Sequence, residues 1–209
     1  MYEKFGQFIE GKWSPSENKE TYEVINPATE EVLGHASKAT PADVDRALKS
    51  AEKGLKVWKK TTPWNRSYIL RKIADRMREK KDVLAKWMTL ENGKPLAEGI
   101  GETNGAADIF EWNAEETKRI FGQTIESRFE DTRVHVYYQP VGVVAALSPW
   151  NFPLILAARK ISTALAAGCS VIIKPDTITP GVVMELVDIC RECGVPPGAV
   201  NLLSGDPPS

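Results

Sequence analysis

Short, wholly apolar runs alternate with helical patterns in the last third of the chain. Val143–Leu147 is the first such run, as expected of a strand that is covered on both faces. Ser170–Lys174 and residues 199–203 are the second and third, and helical patterns over 153–167 and 180–193 lie between them. This βαβαβ order predicts an α/β fold with a parallel, doubly wound sheet. Because another helix should follow the third strand, we expect the sheet to be incomplete, with one exposed edge.

Apolar residues at helical spacing dominate the region before that sheet. Thr40 is a suitable N-cap, Pro41 follows it, and the pattern continues to about Trp58, so we expect a helix there. Two further helices are predicted within 63–92. A longer helical segment, 95–121, is rich in Gly and Ala. Since small residues let two backbones approach closely, we expect this helix to pack tightly against a neighbour.

Two parts of the chain have β-like sequences outside the parallel sheet. Residues 7–13 and 21–25 are short β-like runs separated by turn-forming residues, which predicts a hairpin or ribbon. Residues 123–139 become β-like again before Pro140. These patterns divide the chain into an amino-terminal hairpin and helical part, a β-ribbon and the incomplete sheet, with bounds at 1–122, 123–140 and 141–209.

Composition and charge exclude several classes of function. The 209 residues carry 27 Lys and Arg against 28 Asp and Glu, for a formal net charge of -1. Binding to nucleic acid or to an anionic membrane needs a concentrated surplus of basic side chains, so we expect neither partner. The longest apolar stretches, such as 141–147, are far shorter than the roughly 20 residues that cross a bilayer. The first residues show no secretory pattern, and we expect a cytoplasmic location.

The three cysteines, Cys169, Cys190 and Cys193, form a set too sparse for a disulfide framework. Cys190 and Cys193 have CxxC spacing, but no second pair and no neighbouring His completes a zinc site. We therefore expect reduced, half-buried thiols rather than zinc or redox chemistry, and no metal site. His35 and His135 are isolated in the sequence, and neither has an identifiable catalytic partner.

Candidate chemistry lies at the carboxyl ends of the first two predicted strands, where open parallel sheets bind ligands. The segment 148–153, Ser-Pro-Trp-Asn-Phe-Pro, follows the first strand, and Lys174 ends the second. A rigid prolyl turn would fix the Asn151 amide as a donor to a developing oxyanion, and Lys174 could bind ribose hydroxyls or a phosphate. On the residues alone, plainer interpretations are favoured: Asn151 as a turn or N-cap residue and Lys174 as a solvated charge.

No standard nucleotide-binding motif accompanies these residues. The predicted βαβαβ region contains no GxGxxG, and the sequence contains no GxxxxGK followed by Ser or Thr. The nearest glycine cluster, 99–105, has the wrong spacing and lies in a predicted helix. A nucleotide must therefore be held in another way, if this chain binds one.

Several motifs, in order along the chain, resemble the amino-terminal half of the aldehyde dehydrogenases. In the last third they are SPWNFPL at 148–154, ALAAGC at 164–169, IKP at 173–175 with TP at 179–180, and GVPPG at 194–198 with Asn201. Upstream they are FIEGKW at 8–13, VINPAT at 24–29 and ENGKP at 91–95. The resemblance spans about residues 7–206. It implies a Rossmann-like sheet that binds NAD or NADP without a glycine fingerprint, with 123–140 as a β-ribbon of the oligomerisation arm.

The resemblance assigns roles to individual residues. Asn151 matches the asparagine that stabilises the oxyanion, and Lys160 matches a lysine with a charge-relay or proton-wire role. Lys174 matches the lysine that contacts the adenosine ribose. The implied cofactor-binding residues are Ser148, Pro149, Trp150, Asn151, Lys174, Pro175, Asp176 and Thr177, and the implied substrate-binding residues are Phe152, Leu156 and Arg159.

Two positions narrow the cofactor and the substrate that the resemblance implies. NAD-specific members often carry a glutamate three residues after the cofactor lysine, and its charge would repel a 2′-phosphate. Thr177 stands there, so we expect NADP to be tolerated and slightly preferred over NAD, although an inward-facing Asp176 would undo this argument. Arg159 before Lys160 resembles the succinate-semialdehyde dehydrogenases, because an arginine there could pair with a substrate carboxylate. We favour that role over a plain surface charge.

By the same resemblance, the family's nucleophilic cysteine, general-base glutamate and glycine loop lie beyond residue 209. None of the three cysteines matches the catalytic motif, so we expect the isolated chain not to oxidise aldehydes. The favoured hypothesis is that this chain is part of an NAD(P)-dependent dehydrogenase, which oxidises a small, carboxylate-bearing aldehyde such as succinate semialdehyde. We expect the complete enzyme to form a homodimer or homotetramer. The alternatives are a catalytically inactive nucleotide-binding or oligomerisation module and an unrelated α/β binding domain.

Overall fold

The computed structural model describes residues 2–206, which form nine strands, six α-helices and one short 3-10 helix. The strands are β1 (Gln7–Ile9), β2 (Lys12–Ser14), β3 (Thr21–Ile25), β4 (Val32–Ser37), β5 (Gln123–Glu126), β6 (Arg133–Val136), β7 (Val143–Leu147), β8 (Ser170–Lys174) and β9 (Val200–Leu202). The helices are α1 (Pro41–Trp58), α2 (Pro63–Glu79), α3 (Lys81–Asn92), α4 (Leu96–Glu116), α5 (Pro153–Ala166) and α6 (Pro180–Glu192), with the 3-10 helix at Thr117–Arg119.

A five-stranded sheet in the order β2-β1-β9-β8-β7 forms the centre of the fold. Strands β7, β8 and β9 are parallel, with Val143 opposite Ser170 at the start of the first pair. This confirms the predicted parallel βαβαβ unit. The hairpin β1–β2 adds two antiparallel strands, and Phe8 of β1 lies opposite Leu202 of β9. Since β1 covers the outer edge of β9, the edge strands of the sheet within residues 2–206 are β2 and β7, and β7 is the open edge of its parallel part.

The amino-terminal strands differ from the apolar pattern in two places. Residues 7–13, expected as one β-like run, belong to the hairpin β1–β2, because Glu10 and Gly11 form a two-residue turn with φ values of 54 and 78. The second run, β3, pairs with β4, a strand that the pattern does not predict. Most of β4 is exposed or half-buried, and it contains Gly34, so it lacks the alternation that would identify it.

The helices confirm most of the predicted pattern. Thr40 caps α1, which begins with the predicted proline. The helix expected over 95–121 is shorter, because α4 ends at Glu116 and the chain continues as the 3-10 helix. A Cβ atom on Gly99 would lie 3.1 Å from backbone atoms of Ala85 in α3. The expected close packing of this small-residue helix against a neighbour is therefore confirmed.

The sheet carries helices on both faces. Ile172 of β8 packs in a small cluster with Ala47 of α1, whereas its neighbours Val171 and Ile173 belong to the main core with residues of α5 and α6. Successive strand residues point to opposite faces, so α1 lies on one face and α5 and α6 lie on the other. Helices α2, α3 and α4 pack against α5 and α6 in an outer layer. This layer brings α3 and α4 close to the ends of the strands.

Strands β5 and β6 form a separate two-stranded ribbon, with Gln123 opposite Val136. Nearly all of its side chains are exposed. The ribbon lies within the segment 123–140 that the sequence marks as β-like.

Candidate active-site turn at the carboxyl edge of the sheet

The chain turns after β7 through the segment that leads into α5. The backbone N–H of Ser148 donates to the carbonyl oxygen of Lys174 at 3.1 Å, which ties the end of β7 to the end of β8. Ser148 itself is buried. The four residues that follow it are exposed: Pro149, Trp150, Asn151 and Phe152. The turn thus presents amide and aromatic side chains at the carboxyl edge of the sheet.

Side chains from the end of α3 and the loop after it hold the backbone of this turn. Asn92 donates from Nδ2 to the carbonyl oxygen of Trp150 at 3.1 Å. Lys94 donates from Nζ to the carbonyl oxygen of Asn151 at 3.3 Å. The same Nζ lies 4.5 Å from the centroid of the Phe152 ring, within range of a cation–π contact. One short segment therefore fixes two consecutive carbonyl groups of the turn.

Glu102 of α4 caps the start of α5. Its Oε1 accepts hydrogen bonds from the N–H groups of Leu154 and Ile155 at 2.9 and 3.1 Å. Helix α5 has no side-chain cap of its own, since Phe152 stands at the N-cap position. The carboxylate satisfies two free N–H groups and lies at the positive end of the helix dipole. Lys94 pairs with Glu102, and both side chains are buried, so neither charge is left alone in the interior.

Glu91, near the end of α3, caps α6 in the same manner. Its two carboxylate oxygens accept from the N–H groups of Gly181 and Val182 at 2.7 and 3.2 Å, and the Tyr2 hydroxyl donates to it. Burial raises the pKa of Glu91 from 4.5 to about 8, although the two backbone donors act in the opposite direction. Carboxylates from one stretch of chain therefore occupy the starts of both α5 and α6.

The side chain of Asn151 is exposed and makes no hydrogen bond to residues 2–206. Phe152 is the N-cap residue of α5, and Glu102 supplies the capping contacts. The N-cap interpretation of Asn151 therefore does not hold. The backbone of this residue is fixed by Lys94, and its amide is left free to donate to a ligand.

The end of β8 lies beside this turn. Leu147, the last residue of β7, is opposite Lys174, the last residue of β8, so Lys174 and the turn that carries Asn151 start from adjacent strand ends. Lys174 is half-buried, and its Nζ donates to the carbonyl oxygen of Pro175 at 3.3 Å. The ammonium group is thus held close to the chain at the carboxyl edge.

Two buried hydroxyl groups near these strand ends have no hydrogen-bond partner among residues 2–206: Ser148 Oγ and Thr179 Oγ1. Asp176 accepts the N–H of Ile178 at 3.2 Å, which ties its carboxylate into the turn before α6. Thr177, next to it, is half-buried. Both hydroxyl oxygens are shielded from solvent, so they are unsatisfied inside the protein and are not presented to a ligand in this conformation.

Arg159 and Lys160 of α5 line a different surface. They border a groove of about 450 Å³ whose other wall includes the outer side of β7, the open edge of the sheet. Asn151 and Lys174 do not line this groove. Leu156, on the same helix, is half-buried. The convergence of Asn151, Lys160 and Lys174 on one cleft therefore stays a prediction.

The three cysteines offer no nucleophile to this turn. Cys169, Cys190 and Cys193 are all unpaired and buried, more deeply than the half-buried thiols that the sequence predicts. Burial raises the pKa of the Cys190 and Cys193 thiols, which keeps them protonated and inert. Residues 2–206 contain no group of three or more His, Cys, Asp or Glu side chains placed to bind a metal ion. Among the described helices, none has the length and apolar character needed to cross a membrane.

Sequence reasoning missed the side chains that hold the turn: Asn92, Lys94 and Glu102, with Glu91 at α6. One signal was present. Glu91 follows Leu84, Trp87 and Met88 at helical spacing, so it stands on the apolar face of α3. Glu102 similarly lies among the buried small residues of α4. A carboxylate on a buried helix face needs a partner, and that requirement could have identified both residues.

The parallel sheet with helices on both faces is the arrangement of the Rossmann-type α/β proteins. The exposed side chain of Asn151 lies on a fixed backbone at the carboxyl edge of this sheet. The chain belongs to the aldehyde dehydrogenase family, whose model matches residues 13–209. This confirms the resemblance that the motifs indicate.

Several relatives of known activity are similar to this chain. It is 44% identical to the glutarate-semialdehyde dehydrogenase of Pseudomonas putida over 198 residues. This match covers 95% of this chain and 41% of that protein. It is 43% identical over 197 residues to the NADP(+) succinate-semialdehyde dehydrogenase of Escherichia coli, covering 94% of this chain and 41% of that protein. A crystal structure of an E. coli NADP-dependent enzyme matches with a TM-score of 0.95 at 42% identity, over 96% of this chain and 42% of the other. The chain thus spans about 41% of the length of these curated relatives.

Proposed function

We propose that this chain forms the amino-terminal, cofactor-binding part of an NAD(P)-dependent aldehyde dehydrogenase that oxidises a carboxylate-bearing semialdehyde, such as succinate semialdehyde, to the acid. The observation that carries the proposal is the Asn151 amide, exposed on a backbone that Lys94 fixes at the carboxyl edge of a parallel sheet. Such a donor stabilises the aldehyde oxygen as it acquires negative charge. Similarity to succinate- and glutarate-semialdehyde dehydrogenases supports the substrate class.

The bound cofactor would supply the hydride acceptor for the oxidation. We propose that two strand ends hold it: Ser148, Pro149, Trp150 and Asn151 after β7, and Lys174, Pro175, Asp176 and Thr177 after β8. Lys174 offers an ammonium group to ribose hydroxyls, and the backbone N–H of Ser148 holds the turn after β7 against the end of β8. NADP is tolerated and slightly preferred, because Thr177 places no charge against a 2′-phosphate and Asp176 is tied to the N–H of Ile178.

The substrate side of the proposal rests on α5. Arg159 is exposed on that helix and is proposed to pair with the carboxylate of the semialdehyde, with Phe152 and Leu156 beside its carbon chain. Lys160, one residue further, is proposed to move a proton during the reaction. Both basic residues border the groove beside the open edge of the sheet. The sulfur nucleophile and the general base are proposed to come from outside these 209 residues. The chain by itself is therefore proposed not to oxidise aldehydes.

We further propose that the complete protein is a cytoplasmic homodimer or homotetramer. The ribbon β5–β6 supports the assembly, because it keeps apolar side chains such as Ile125 and Val134 exposed at 46% and 45%. Three unpaired cysteines, all buried, support a reducing compartment.

The test is the formation of reduced nicotinamide by the complete protein that contains this chain. With succinate semialdehyde and NADP we expect turnover, and Asn151→Ala should lower kcat by roughly 10²-fold, the usual loss of an oxyanion donor. Asn104→Ala, at an exposed asparagine of α4, is the matched control and should leave kcat unchanged. Tight NADP binding without turnover of any semialdehyde would instead support an inactive nucleotide-binding module. An Asn151→Ala enzyme with full kcat would remove the amide from the mechanism.

A further inference from the structure

We propose that Lys94 and Glu102 are a positioning pair, which sets the direction of the Asn151 amide toward the substrate oxygen. The inference deepens the proposed function and rests on it. Neither residue would touch the aldehyde or the cofactor. Both would act through contacts with the segment 151–155, which begins with Asn151.

The contacts of the pair begin at the carbonyl group of Asn151 and continue over the next four residues. Lys94 holds the carbonyl oxygen of Asn151 itself at 3.3 Å and lies over the ring of Phe152. Glu102 holds the N–H groups of Leu154 and Ile155, three and four residues further on. The ion pair joins the two sets of contacts into one unit. Since the Asn151 side chain makes no hydrogen bond in the described part of the chain, these contacts fix the direction of its Cα–Cβ bond and so the region that its amide can reach.

Helix capping alone does not explain the choice of residues. A Ser, Thr, Asp or Asn at the N-cap position would cap α5 from within its own chain segment. This protein has Phe152 there, without a side-chain cap, and uses a glutamate from α4 instead. A buried ion pair adds little net stability over apolar residues of similar volume, because both charges lose their hydration. What the pair adds is a rigid connection between α4 and the turn.

Rigidity at this turn matters because an oxyanion donor works only in a narrow geometry. Donor and oxygen must come within about 2.7–3.1 Å at the point where charge develops. A productive site needs its groups held within about 0.5 Å and 10–20°. An exposed asparagine on a prolyl turn would not keep that precision by itself. The two buried contacts provide it from the inner side of the turn.

A double-mutant cycle in the complete enzyme tests the positioning role. Lys94→Met removes the contacts of the ammonium group with Asn151, Phe152 and Glu102 and keeps most of the apolar stem. We expect it to lower kcat about tenfold or more, with KM for succinate semialdehyde and for NADP changed less than about twofold. In the Asn151→Ala background the same substitution should lower kcat no further, because no amide remains to be oriented. Lys94→Arg, which keeps the charge and the donors, should restore most of kcat.

The control is Lys80→Met, which removes an ammonium group paired with Glu192 at 3.1 Å, at the far end of α6 from the turn. It should leave kcat unchanged in both backgrounds. An equal loss of kcat from Lys94→Met with and without Asn151 would overturn the inference and leave Lys94 a purely structural residue.

A second substitution covers the case in which Lys94→Met does not fold. Glu102→Gln keeps an acceptor for Leu154 and Ile155 but removes the charge, and its cycle with Asn151→Ala is interpreted in the same manner. The positioning role and the proposed function fail in different ways. A full kcat in Asn151→Ala alone refutes the role of the amide, whereas additive losses refute only the positioning pair.

Discussion

Replacing a helical glycine by alanine should have opposite effects at two positions of this chain. A Cβ atom on Gly54 of α1 would lie 2.1 Å from the carbonyl carbon of Gly198 and 2.3 Å from the backbone nitrogen of Ala199. Ordinary contact begins at 3.4 Å, so α1 and the segment before β9 would have to separate by about 1.3 Å. A Cβ on Gly101 of α4 would meet no atom within 4 Å.

The change in the free energy of unfolding at each position is the sum of a helix-propensity gain and any cost of overpacking. Alanine is favoured over glycine inside a helix by about 1 kcal/mol, which applies at both sites. At Gly54 the added methyl group presses on backbone atoms that cannot rotate away, and overpacking of this kind costs roughly 3 kcal/mol. We therefore expect Gly54→Ala to lower the free energy of unfolding by about 2 kcal/mol. Gly101→Ala should raise it by about 1 kcal/mol.

Urea unfolding followed by tryptophan fluorescence measures both changes. Trp58, buried at the end of α1, is one of the six tryptophans that contribute to this signal. The urea midpoint should fall for Gly54→Ala and rise for Gly101→Ala, with the m-value unchanged. If Gly54→Ala were as stable as Gly101→Ala, the close approach of α1 to the segment before β9 would be refuted.

Three further predictions concern the candidate site. For Glu91, whose folded pKa is raised from 4.5 to about 8, the stabilising contribution is present below pH 4.5 and is lost as the pH rises through 8. The urea midpoint of the chain, measured relative to that of Glu91→Gln, should therefore fall between about pH 5 and pH 9. The corresponding loss in the free energy of unfolding is at most roughly 5 kcal/mol. Parallel pH profiles of the two proteins would contradict this. In the complete enzyme, Thr177→Glu should lower kcat/KM for NADP at least tenfold and leave that for NAD nearly unchanged, as steady-state kinetics would show. Arg159→Leu should raise KM for succinate semialdehyde far more than KM for a neutral aldehyde of the same length, and an equal effect on both would remove Arg159 from the substrate site.

The fold could be predicted where one physical signal dominates. Strands β7, β8 and β9 are short apolar runs between helices, and that pattern has few alternatives to a parallel sheet. The turn at Glu10 and Gly11 was harder, because a glutamate with a φ of 54 is unusual for a hairpin turn. Strand β4 gave no signal, because only its last two residues are buried. Pairing of β1 with β9 joins residues far apart in sequence, and no local pattern encodes such a contact.

The candidate site, like the fold, could be predicted from the sequence only in part. The turn with Asn151 could be located, since it follows a buried strand and its residues match a family motif. The side chains that hold this turn could not be assigned, because Lys94 and Glu102 act on backbone atoms more than 50 residues away, as the separations of 57 and 52 show. A sequence gives the charge of such residues but not the helix end that they meet.

The carboxyl groups at the starts of α5 and α6 also fit the absence of a glycine fingerprint. In dinucleotide-binding sheets that carry the fingerprint, the pyrophosphate sits at the N-terminus of the helix after the first strand, and the glycines let the backbone approach it. Here Glu102 occupies the start of α5 and Glu91 occupies the start of α6. A phosphate at either place would meet a buried carboxyl group and find its N–H donors already used. In the proposed function, a nucleotide at Lys174 would therefore direct its phosphates away from both helices, and the prolyl turn would take the place of the glycines.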